Sequence, residues 1–494
     1  MTMSEQKAIY DARELGTPKM IILGLQHMFA MFGATVLVPL ITGLDVSTTL
    51  LCAGLGTLLF HLITKMKVPA FLGSSFAFLG GYAAITGLAG TPGYEDMTKA
   101  QLLPYACLGV ACAGLLYFVL AACIKAVGVH KVMKFFPPVV TGPIIICIGL
   151  GLAGSAISNC ATCWPIALIA LALVIIFNIW GKGMAKILPI LIGVLGSVAI
   201  AAILAVACGA PTADGAAIAI NGKDNMQLFS VSALEYLKAA PWIGFPIHKA
   251  STILGVDFGK SSLVVSSIIA IMPIALATMM EHIGDISAIS ATVDKNYIKD
   301  PGLHRTLIGD GLATTLASLV GGPANTTYGE NTGVLVLTKV YDPRVIRIAA
   351  IFATVLSFCP KFAAFIELLP TAVIGGISFV LYGMISAAGV RNIVDTHVDF
   401  ANSRNLIIAA VILVTGLGLT DGATFSIGSA TITLSALAVA SLAGIILNAI
   451  LPGRDYDFEE ETPDENGASL SSSVNETDVK KTKRAEAKEA ASEI

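Results

Sequence analysis

Long apolar runs, bounded by charged residues, proline or glycine, follow one another along most of this 494-residue chain. A helix needs about 20 mostly apolar residues to cross a bilayer, and fourteen runs have that length or are shorter, interrupted forms of it. Only 13% of the residues are Asp, Glu, Lys or Arg, against about 25% in soluble proteins. So few charges cannot cover a water-facing surface, which excludes a soluble enzyme and a nucleic-acid-binding protein. The sequence predicts an all-α polytopic membrane protein.

The fourteen predicted spans form two sets of seven, and the third and tenth are interrupted by Gly, Pro and Ser or Asn. The first set covers residues 19–42, 46–64, 69–90, 102–124, 135–156, 165–181 and 187–208. The second set covers residues 261–284, 302–320, 323–338, 345–366, 370–390, 405–420 and 428–452. The charged run before the first span lacks the apolar stretch of a signal peptide, so we expect that span to stay in the membrane.

Basic residues mark one side of these spans. If the N-terminus, the even-numbered loops and the tail share a side, that side holds 24 of the 30 Lys and Arg residues, which identifies it as cytoplasmic. We therefore expect residues 1–18 to be a cytoplasmic N-terminus, residues 209–260 a partly ordered external connection, and the inner membrane to be the location. Residues 453–494 are rich in charged and Ser residues and poor in aliphatic ones, which predicts a disordered cytoplasmic tail.

The two sets of spans contain a weak internal repeat. Segments 135–144 and 368–377 share Pro, Val, Gly and Ile at a shift of 233 residues, and Gln26-His27 corresponds to Glu281-His282 at a shift of 255. The second shift also places the broken third span over the broken tenth. Because seven is odd, a second copy must enter the membrane from the opposite side, as in the inverted repeats of secondary transporters.

Carboxyl groups inside apolar spans are expected to have a function, because inserting each one into the membrane costs about 2.5–3.5 kcal/mol. Glu281 and Asp285 lie four residues apart at the end of the eighth span, on one helical face. Glu330 follows Gly and Pro residues in the tenth span, where we expect extended backbone and then a helix from Val334 onward. The first N–H groups of a resumed helix form a positive dipole end that favours acceptor atoms. The third span offers the same arrangement.

Five motifs in these segments resemble the nucleobase–ascorbate transporters (the nucleobase:cation symporter-2 family), in its bacterial uracil permease branch. The likeness runs in order from about residue 20 to 450. The motifs are Gln26–Pro39, Gly73–Phe78, Glu281–Gly284, Pro301–Arg305 and Glu330–Lys339.

The resemblance implies an architecture of fourteen spans in two inverted sevens, with short antiparallel strands in spans 3 and 10. Residues 19–126 and 261–366 would form a core domain, and residues 135–208 and 370–452 a gate domain. The resemblance also implies a homodimer and an elevator-like motion of the core against the gate.

The resemblance implies two groups of site residues. The residues expected to bind substrate are Glu281, Glu330, the ring-stacking Phe76 with its neighbour Ser75, and the backbone of Tyr328 and Gly329. Those expected to shape the pocket or couple protons are His27, Asp285, Asp310 and Asn331, and we expect Asn331 to brace the two broken spans. Asp285 replaces the His usual in uracil permeases and, like Asp310, resembles purine-transporting members, whereas Glu330 is the uracil-type residue.

This residue set suits a nucleobase. Uracil is flat and neutral, with two N–H donors and two carbonyl acceptors on its edges. A carboxylate accepts N–H bonds, a protonated carboxyl donates to a carbonyl, and an aromatic ring packs on the base. We therefore predict a proton-coupled uracil symporter, with a xanthine or purine symporter as the alternative. The expected partners are uracil, membrane lipid and a second copy of the chain, with no nucleic acid.

Other classes of function fit less well. A channel would need rings of charge or open polar stripes, and a membrane enzyme would need a nucleophile with its base or a metal cluster, whose spacings are absent from the spans. No phosphate-binding Gly-rich loop is present, so an ion gradient is the expected energy source. We expect no metal and no cofactor, with H⁺ as the coupling ion and Na⁺ not excluded. Whether Cys160 and Cys163 form a disulfide is left open by the sequence.

Overall fold

The computed structural model describes residues 8–91, 93–182, 184–419, 422–427 and 430–453, so the predicted tail from residue 454 onward lies outside the described residues. Up to residue 208 the elements are α1 (Thr17–Thr42), α2 (Val46–Ile63), β1 (Leu72–Ser74), α3 (Leu79–Thr86), α4 (Lys99–Val127), α5 (Val129–Met133), α6 (Pro138–Leu150), α7 (Ala153–Ala161), α8 (Trp164–Trp180), α9 (Met184–Ile187) and α10 (Pro189–Cys208). The connection that follows contains β2 (Gly209–Pro211), β3 (Ala217–Ile220), β4 (Gln227–Ser230) and α11 (Val231–Ala239).

The second half of the chain repeats the pattern of long helices with short interruptions. Its elements are α12 (Ser261–Ile271), α13 (Ala275–Val293), α14 (Leu303–Leu319), β5 (Asn325–Thr327), α15 (Gly329–Thr338), α16 (Pro343–Ser357), α17 (Pro360–Glu367), α18 (Thr371–Asp395), α19 (Ser403–Gly418), β6 (Ala423–Ile427), β7 (Ala430–Leu434) and α20 (Ala436–Ile450). The strands form three small antiparallel sheets, β1–β5, β2–β3–β4 and β6–β7. The all-α prediction therefore holds for most of the described chain but missed two of these sheets.

Several helices have the length and surface of membrane spans. Within the described residues, seven helical segments are long and apolar enough to cross a bilayer, or eight if the bent pair α16–α17 counts as one. Their outer faces carry exposed apolar side chains, such as Ile203 and Val206 on α10, which are 66% and 91% exposed. Large apolar surfaces of this kind are unfavourable in water and favourable against lipid. The protein is a multi-pass membrane protein.

Local sequence signals fix where several helices begin. The Asp45 side chain accepts the backbone N–H at the start of α2, and Thr98 and Gln101 form a reciprocal capping box at the start of α4. These bonds satisfy N–H groups that have no partner within the helix. Pro137 and Pro370, which the repeat aligns, lie directly before α6 and α18. The two prolines thus have the same structural position in the two halves of the chain.

The eighth span is longer than predicted. A 3₁₀ turn at Met272–Ile274 joins α12 to α13, and the helix continues to Val293 rather than ending near residue 284. The sequence reading ended the span at its polar residues. Ser287 and Ser290, however, donate to the backbone carbonyls four residues earlier, so their hydroxyls need no water. Glu281 and Asp285 therefore lie within a helix rather than at its end.

The eleventh span is not the single helix 345–366. It breaks between α16 and α17, whose axes differ by 88°. Cys359 has φ −111° and ψ 85°, outside the helical region, and Pro360 opens the next helix. A residue before proline avoids helical backbone for steric reasons, and this accounts for the break.

The fourteenth span begins at Ala436 rather than at residue 428, because β6 and β7 form a hairpin in front of it. Strands β6 and β7 alternate apolar residues with Thr or Ser, a period of two that is typical of strands. The apolar content of this stretch alone predicts a membrane span, whereas the alternation predicts strands.

The loop between the fifth and sixth spans is shorter than expected, because α7 extends to Ala161. Cys160 and Cys163 lie on either side of the turn that leads into α8, and both are free thiols. The disulfide that the sequence left open is not formed.

The helices pack in two sets that meet along one boundary. In the first set, α4 packs on α14 and α12, α2 on α16 and α14, and α1 on α16. In the second set, α18 packs on α6, α7 and α8, α8 on α10, and α19 on α20 and α6. The sets meet where α13 contacts α6 and α20, and where α1 contacts α10 and α18. The broken segments β1–α3 and β5–α15 lie in the first set and face this boundary through α1 and α13.

Residues 9–15 dock on the first set of helices. Ile9 forms a parallel bridge with Val340, the Tyr10 hydroxyl donates to the Val293 carbonyl at 2.9 Å, and the Ala12 N–H donates to Asp342 at 2.8 Å. The hydrogen bond from the Arg13 guanidinium lowers the pKa of Asp11. This segment ties the end of α13 to the start of α16.

Candidate functional site

The two interrupted segments meet as predicted, in a short antiparallel sheet. Leu72 pairs with Thr327, and two further pairs complete the contact between β1 and β5. The Ser75 N–H donates to the Ala324 carbonyl at 2.8 Å, and the Tyr328 N–H donates to the Phe71 carbonyl at 3.0 Å. Extended backbone inside a membrane protein is stable only where such bonds satisfy its polar groups. Because the two strands are antiparallel, α3 and α15 restart from opposite ends of this short sheet.

Tyr328 fastens the two segments together through its side chain. Its hydroxyl donates to the Ser74 carbonyl at 2.8 Å and accepts from the Thr35 hydroxyl at 3.2 Å. The ring fits against Gly73, where a Cβ atom would lie 2.5 Å from two ring carbons. The sequence predicts a role in the site for the backbone of Tyr328 only. The structure shows that the side chain also joins the two interrupted segments.

Glu281 and Asp285 share one face of α13, as their spacing predicts. Glu281 has a buried Oε2 atom with no hydrogen-bond partner among the described residues. Asp285, one turn later, accepts a hydrogen bond from the Thr327 hydroxyl at 2.7 Å. The Glu281 carboxyl interacts electrostatically with Asp285, Asp310 and Glu330. Four carboxyls from three different helices are thus close enough to repel one another.

Helix α15 starts at Gly329, five residues before the predicted Val334, which places Glu330 in its first turn. No side chain caps this helix end, so its first N–H groups are not satisfied by a capping side chain. Gly329 is exposed, and a Cβ atom built on it would lie 4.0 Å from Asp285 Oδ1. Open space also lies beside Gly333 on α15 and Gly284 on α13, where a Cβ atom would meet nothing within 4 Å. A small ligand can therefore reach the carboxyls beside these glycines.

Phe76 lies at the entrance to α3, in the boundary between the two sets of helices. Its ring is 7% exposed and forms a T-shaped pair with Tyr382 of α18, with 5.8 Å between centroids. The sequence reading did not single out Tyr382. The neighbouring Ser75 is fully buried, and its N–H is already bonded to Ala324. Ser75 therefore has no N–H left for a ligand, whereas its hydroxyl is buried without a hydrogen-bond partner among the described residues.

Asn331 bonds to α1 and not to the third span, which corrects the predicted brace. Its amide nitrogen donates to the His27 backbone carbonyl at 3.0 Å and lies 3.2 Å from His27 Nδ1. His27 is fully buried, and its Nε2 atom has no hydrogen-bond partner among the described residues. Asn331 thus fixes the orientation of the His27 ring, and the pair joins α15 to α1.

Asp310 pairs with a residue that the sequence reading left without a role. His282 Nδ1 lies 3.3 Å from Asp310 Oδ2, and both side chains are fully buried. His282 Nδ1 is also 3.4 Å from the Thr327 hydroxyl. A sequence signal existed, because His282 and Asp285 are three residues apart and share a helical face. Thr327 could not be found in this way, since its position depends on the fold.

Among the described residues that form the cluster, no basic side chain other than histidine neutralises the carboxyls. Neither α13, α15 nor β5 contains Lys or Arg, and Arg305, the one such residue on α14, donates to the Ile63 carbonyl at 3.2 Å. Among the residues that the structure describes, no group of three or more His, Cys, Asp or Glu side chains is arranged to hold a metal ion. The arrangement can accept N–H groups of a neutral ligand and can exchange protons.

Comparison with known proteins gives a consistent picture. A family model described as "Permease family" matches residues 18–424. The chain is 40% identical over 463 residues to a uracil permease of Bacillus caldolyticus, covering 92% of this chain and 97% of the relative. It is 38% identical over 464 residues to a uracil permease of Bacillus subtilis, covering 91% and 97%.

A solved structure shares the fold at low sequence identity. The transmembrane domain of a cyanobacterial bicarbonate transporter, BicA, superposes with a TM-score of 0.58 at 14% identity, covering 89% of this chain and 99% of that domain. At this identity the likeness concerns the fold alone.

Proposed function

Because the chain belongs to the nucleobase–ascorbate transporter family, as its motifs predict, we propose that it is a proton-coupled symporter that imports uracil across the inner membrane. The protein is a transporter and not an enzyme. The observation that carries the proposal is the Glu281 Oε2 atom, which is buried without a hydrogen-bond partner among the described residues and whose carboxyl interacts with Asp285 and Glu330. The names of the relatives, both uracil permeases, support the choice of substrate.

Uracil is proposed to bind between α13 and the starts of α3 and α15. Glu281 accepts one ring N–H, and Glu330 bonds the far edge of the base. The N–H groups at the starts of α3 and α15 donate to the carbonyls. Among the described residues no backbone carbonyl accepts the Phe76 N–H, which leaves this donor available. The Phe76 ring packs on the base.

Protons are proposed to couple transport through the carboxyl cluster. Four acids in a buried, low-dielectric site cannot all stay ionised without a large repulsion. Proton binding relieves this repulsion and prepares a carboxyl to donate to the base. His27, held by Asn331, shapes the pocket next to the cluster. We propose H⁺ rather than Na⁺ because the acids do not form an oxygen cage of the kind a hard cation requires.

The architecture is proposed to be fourteen spans in two inverted repeats of seven. Contacts between elements support this, because exchanging the halves maps the pair α2–α16 onto α14–α4 and the pair α8–α10 onto α19–α20. The antiparallel pair Leu72–Thr327 joins two residues that are 255 positions apart, the shift found in the sequence repeat. Paired broken helices at a repeat interface are where secondary transporters bind substrate.

The first set of helices is proposed to be the core domain and the second set the gate domain, with elevator-like motion between them. The strands and the carboxyl cluster belong to the first set, and Tyr382 touches the site from the second. We also propose cytoplasmic termini, from the distribution of basic residues, and a homodimer, from the family resemblance.

Uptake of labelled uracil into proteoliposomes tests the proposed function. With the lumen more alkaline than the outside, we expect saturable accumulation that a protonophore abolishes and that does not require Na⁺. Excess unlabelled uracil should compete, whereas xanthine should not. Equal competition by xanthine would favour the purine alternative, which the acids at Asp285 and Asp310 support. Absence of accumulation, or a strict requirement for Na⁺, would contradict the proposal.

Replacing Phe76 with alanine should weaken uracil binding by about 5- to 150-fold, because stacking of a base on an aromatic ring contributes about 1–3 kcal/mol. The effect should appear in KM more than in the maximal rate. Phe76→Tyr, which keeps the ring, should stay close to the wild type. An unchanged KM in a monodisperse Phe76→Ala preparation would remove Phe76 from the binding site.

A further inference from the structure

Four side chains form a continuous chain that leads from the site into the core of the first set of helices. Asp285 Oδ2 accepts from the Thr327 hydroxyl at 2.7 Å, and Thr327 Oγ1 lies 3.4 Å from His282 Nδ1. His282 Nδ1 in turn lies 3.3 Å from Asp310 Oδ2. Asp285 is partly buried and faces Gly329, whereas His282 and Asp310 are fully buried. This series of four side chains therefore has one end, Asp285, beside the space open to a ligand, and the other end, Asp310, enclosed in the protein.

Local geometry brings these groups together without strain. His282 and Asp285 are three residues apart on α13, so their side chains lie one above the other. Successive residues of a strand point to opposite faces, so Thr327 faces α13 while Thr326 faces away from it. Asp310 comes from α14, which packs against α13. Three elements thus converge on the His282 ring.

Asp310 is an unusual group to find in this position. Neither of its carboxyl oxygens has a hydrogen-bond partner among the described residues, and His282 is its one ion-pair partner there. An isolated buried carboxylate is very unfavourable, whereas a carboxylate with one shared proton is not. The pair is therefore stable only when it holds a proton.

The single Nδ1 hydrogen of His282 can point toward Asp310 or toward Thr327, but not toward both. When it points toward Asp310, the proton is held in the core. When it points toward Thr327, it continues the hydrogen bond that Thr327 makes to Asp285.

We propose that His282 and Asp310 form a buried proton store that exchanges its proton with Asp285 through the hydroxyl of Thr327. The proposal rests on the proton-coupled function proposed above and adds two residues to it. In the outward step, the Thr327 O–H bond breaks as its proton forms an O–H bond on Asp285. The N–H bond of protonated His282 breaks as that proton replaces the one on Thr327. His282 ends neutral, Asp285 ends as a neutral carboxyl, and no other group changes charge.

The groups around the store do not offer a competing route through a hydroxyl. On α4, Tyr117 donates to Thr278 at 2.6 Å, and Tyr328 donates to Ser74 at 2.8 Å. Glu281 on the same helix and Glu330 on α15 also interact with this cluster. Tyr10 and Tyr297 contact α13 only near its C-terminal end, at Val293 and Ser290, and Arg305 on α14 donates to the Ile63 carbonyl. Helices α6 and α20, which also contact α13, contain no Asp, Glu, His, Lys or Arg. Thr327 is therefore the link whose removal isolates the store.

Such a store has a function in coupling. It keeps the transported proton out of contact with water while the site changes sides, and it returns Asp285 to its ionised form when a base with N–H donors arrives. A proton that stayed on Asp285 would remain beside the open glycine-lined space and could escape without uracil.

Thr327→Val tests the store because it removes the hydroxyl and keeps the shape of the side chain. Two measurements are made on the same proteoliposomes: accumulation of labelled uracil driven by a pH gradient, and exchange of labelled for unlabelled uracil without a gradient. We expect accumulation to fall about tenfold or more, since positioned proton transfer contributes at least that much. Exchange should fall by about fivefold or less, the effect of one hydrogen bond. Thr327→Ser, which restores the hydroxyl, should recover accumulation.

Thr326→Val is the matched control. Thr326 is the neighbouring strand residue, it is buried, and its hydroxyl has no hydrogen-bond partner among the described residues. It should transport like the wild type. Equal losses of exchange and accumulation in Thr327→Val, normal accumulation in that variant, or failure of Thr327→Ser to restore it would each overturn the store while leaving the symporter intact. A wild-type protein that does not accumulate uracil would overturn both proposals.

Discussion

Glu281→Gln should reduce pH-gradient-driven uracil accumulation to about 1% of the wild-type level or less, the largest loss expected from a single isosteric change in this protein. Glutamine has the size of glutamate but cannot take up and release a proton. It also presents an N–H₂ group where the carboxylate presents only acceptors. The amide oxygen can accept only a weaker, neutral bond from the uracil N–H, so the charge-assisted bond and the coupling reaction are both lost.

The loss of uracil binding and the loss of proton coupling can be separated because they differ in size. A hydrogen bond to a charged group contributes about 1.5–3 kcal/mol, which corresponds to roughly 10- to 150-fold in affinity. Binding of labelled uracil to purified Glu281→Gln protein should weaken within this range. Accumulation should fall further than binding, because the variant also lacks the proton exchange that drives the cycle.

The choice of Glu281 follows from its surroundings. Its Oε2 atom is buried with no hydrogen-bond partner among the described residues. Asp285 already accepts a hydrogen bond from Thr327, and Asp310 is enclosed in the core, where it forms an ion pair with His282. A buried acceptor without a partner is unfavourable in a finished structure and favourable where a ligand supplies the donor. Glu281 is therefore the member of the cluster with the most to gain from substrate.

Glu367→Gln provides the control for this substitution. Glu367 ends α17, is exposed, and does not interact with the carboxyl cluster. It should accumulate uracil like the wild type at equal amounts of reconstituted protein. Normal accumulation by Glu281→Gln, still dependent on the pH gradient, would remove this carboxyl from both binding and coupling.

The sequence alone was enough to locate the centre of the site. Gly and Pro residues within two apolar spans predicted interruptions there, and the structure has β1 and β5 paired in those spans. The four-residue spacing of Glu281 and Asp285 predicted a shared face because helical periodicity is a local property. These features depend on a few neighbouring residues, and such features can be read from sequence.

The errors arose where two local signals competed. Pro360 predicts a helix break, but it lies within an apolar run, and the run as a whole predicts one continuous span. The prediction of a single helix in place of α16 and α17 followed from the apolar run. Near β6 and β7 the period-two alternation was present, but the stretch was short and apolar enough to extend the next span. For runs of this length, hydrophobicity alone does not separate a strand from a helix.

Contacts between distant elements were beyond reach of the sequence. The pair His282–Asp310 joins α13 to α14, and the bond between Asn331 and His27 joins residues 304 positions apart. The sequence identified each of these residues as polar within an apolar span, but not which helices would bring them together. The role of Thr327 depends on the register of β5 against β1, which only the folded chain defines.

The same register leaves no room for a side chain at Gly73. Gly73→Ala should lower the thermal stability of the protein and reduce uracil transport by about tenfold or more, because overpacking a well-packed site costs about 1–3 kcal/mol. An alanine Cβ would lie 2.5 Å from two ring carbons of Tyr328 and 2.7 Å from the Thr35 hydroxyl. The ring cannot move aside without breaking the bonds of its own hydroxyl to Ser74 and Thr35.

Displacement of Tyr328 would reach the substrate directly, because Gly329 and Glu330 follow it in the chain and open α15. Transport should therefore fall more than stability does, which distinguishes a distorted site from general unfolding. Gly154→Ala on α7 is the matched control, since a Cβ atom there would meet nothing within 4 Å. If Gly73→Ala melts and transports like Gly154→Ala, the contact between Tyr328 and β1 does not hold the two broken segments together, and the position of Glu330 must be fixed by other contacts.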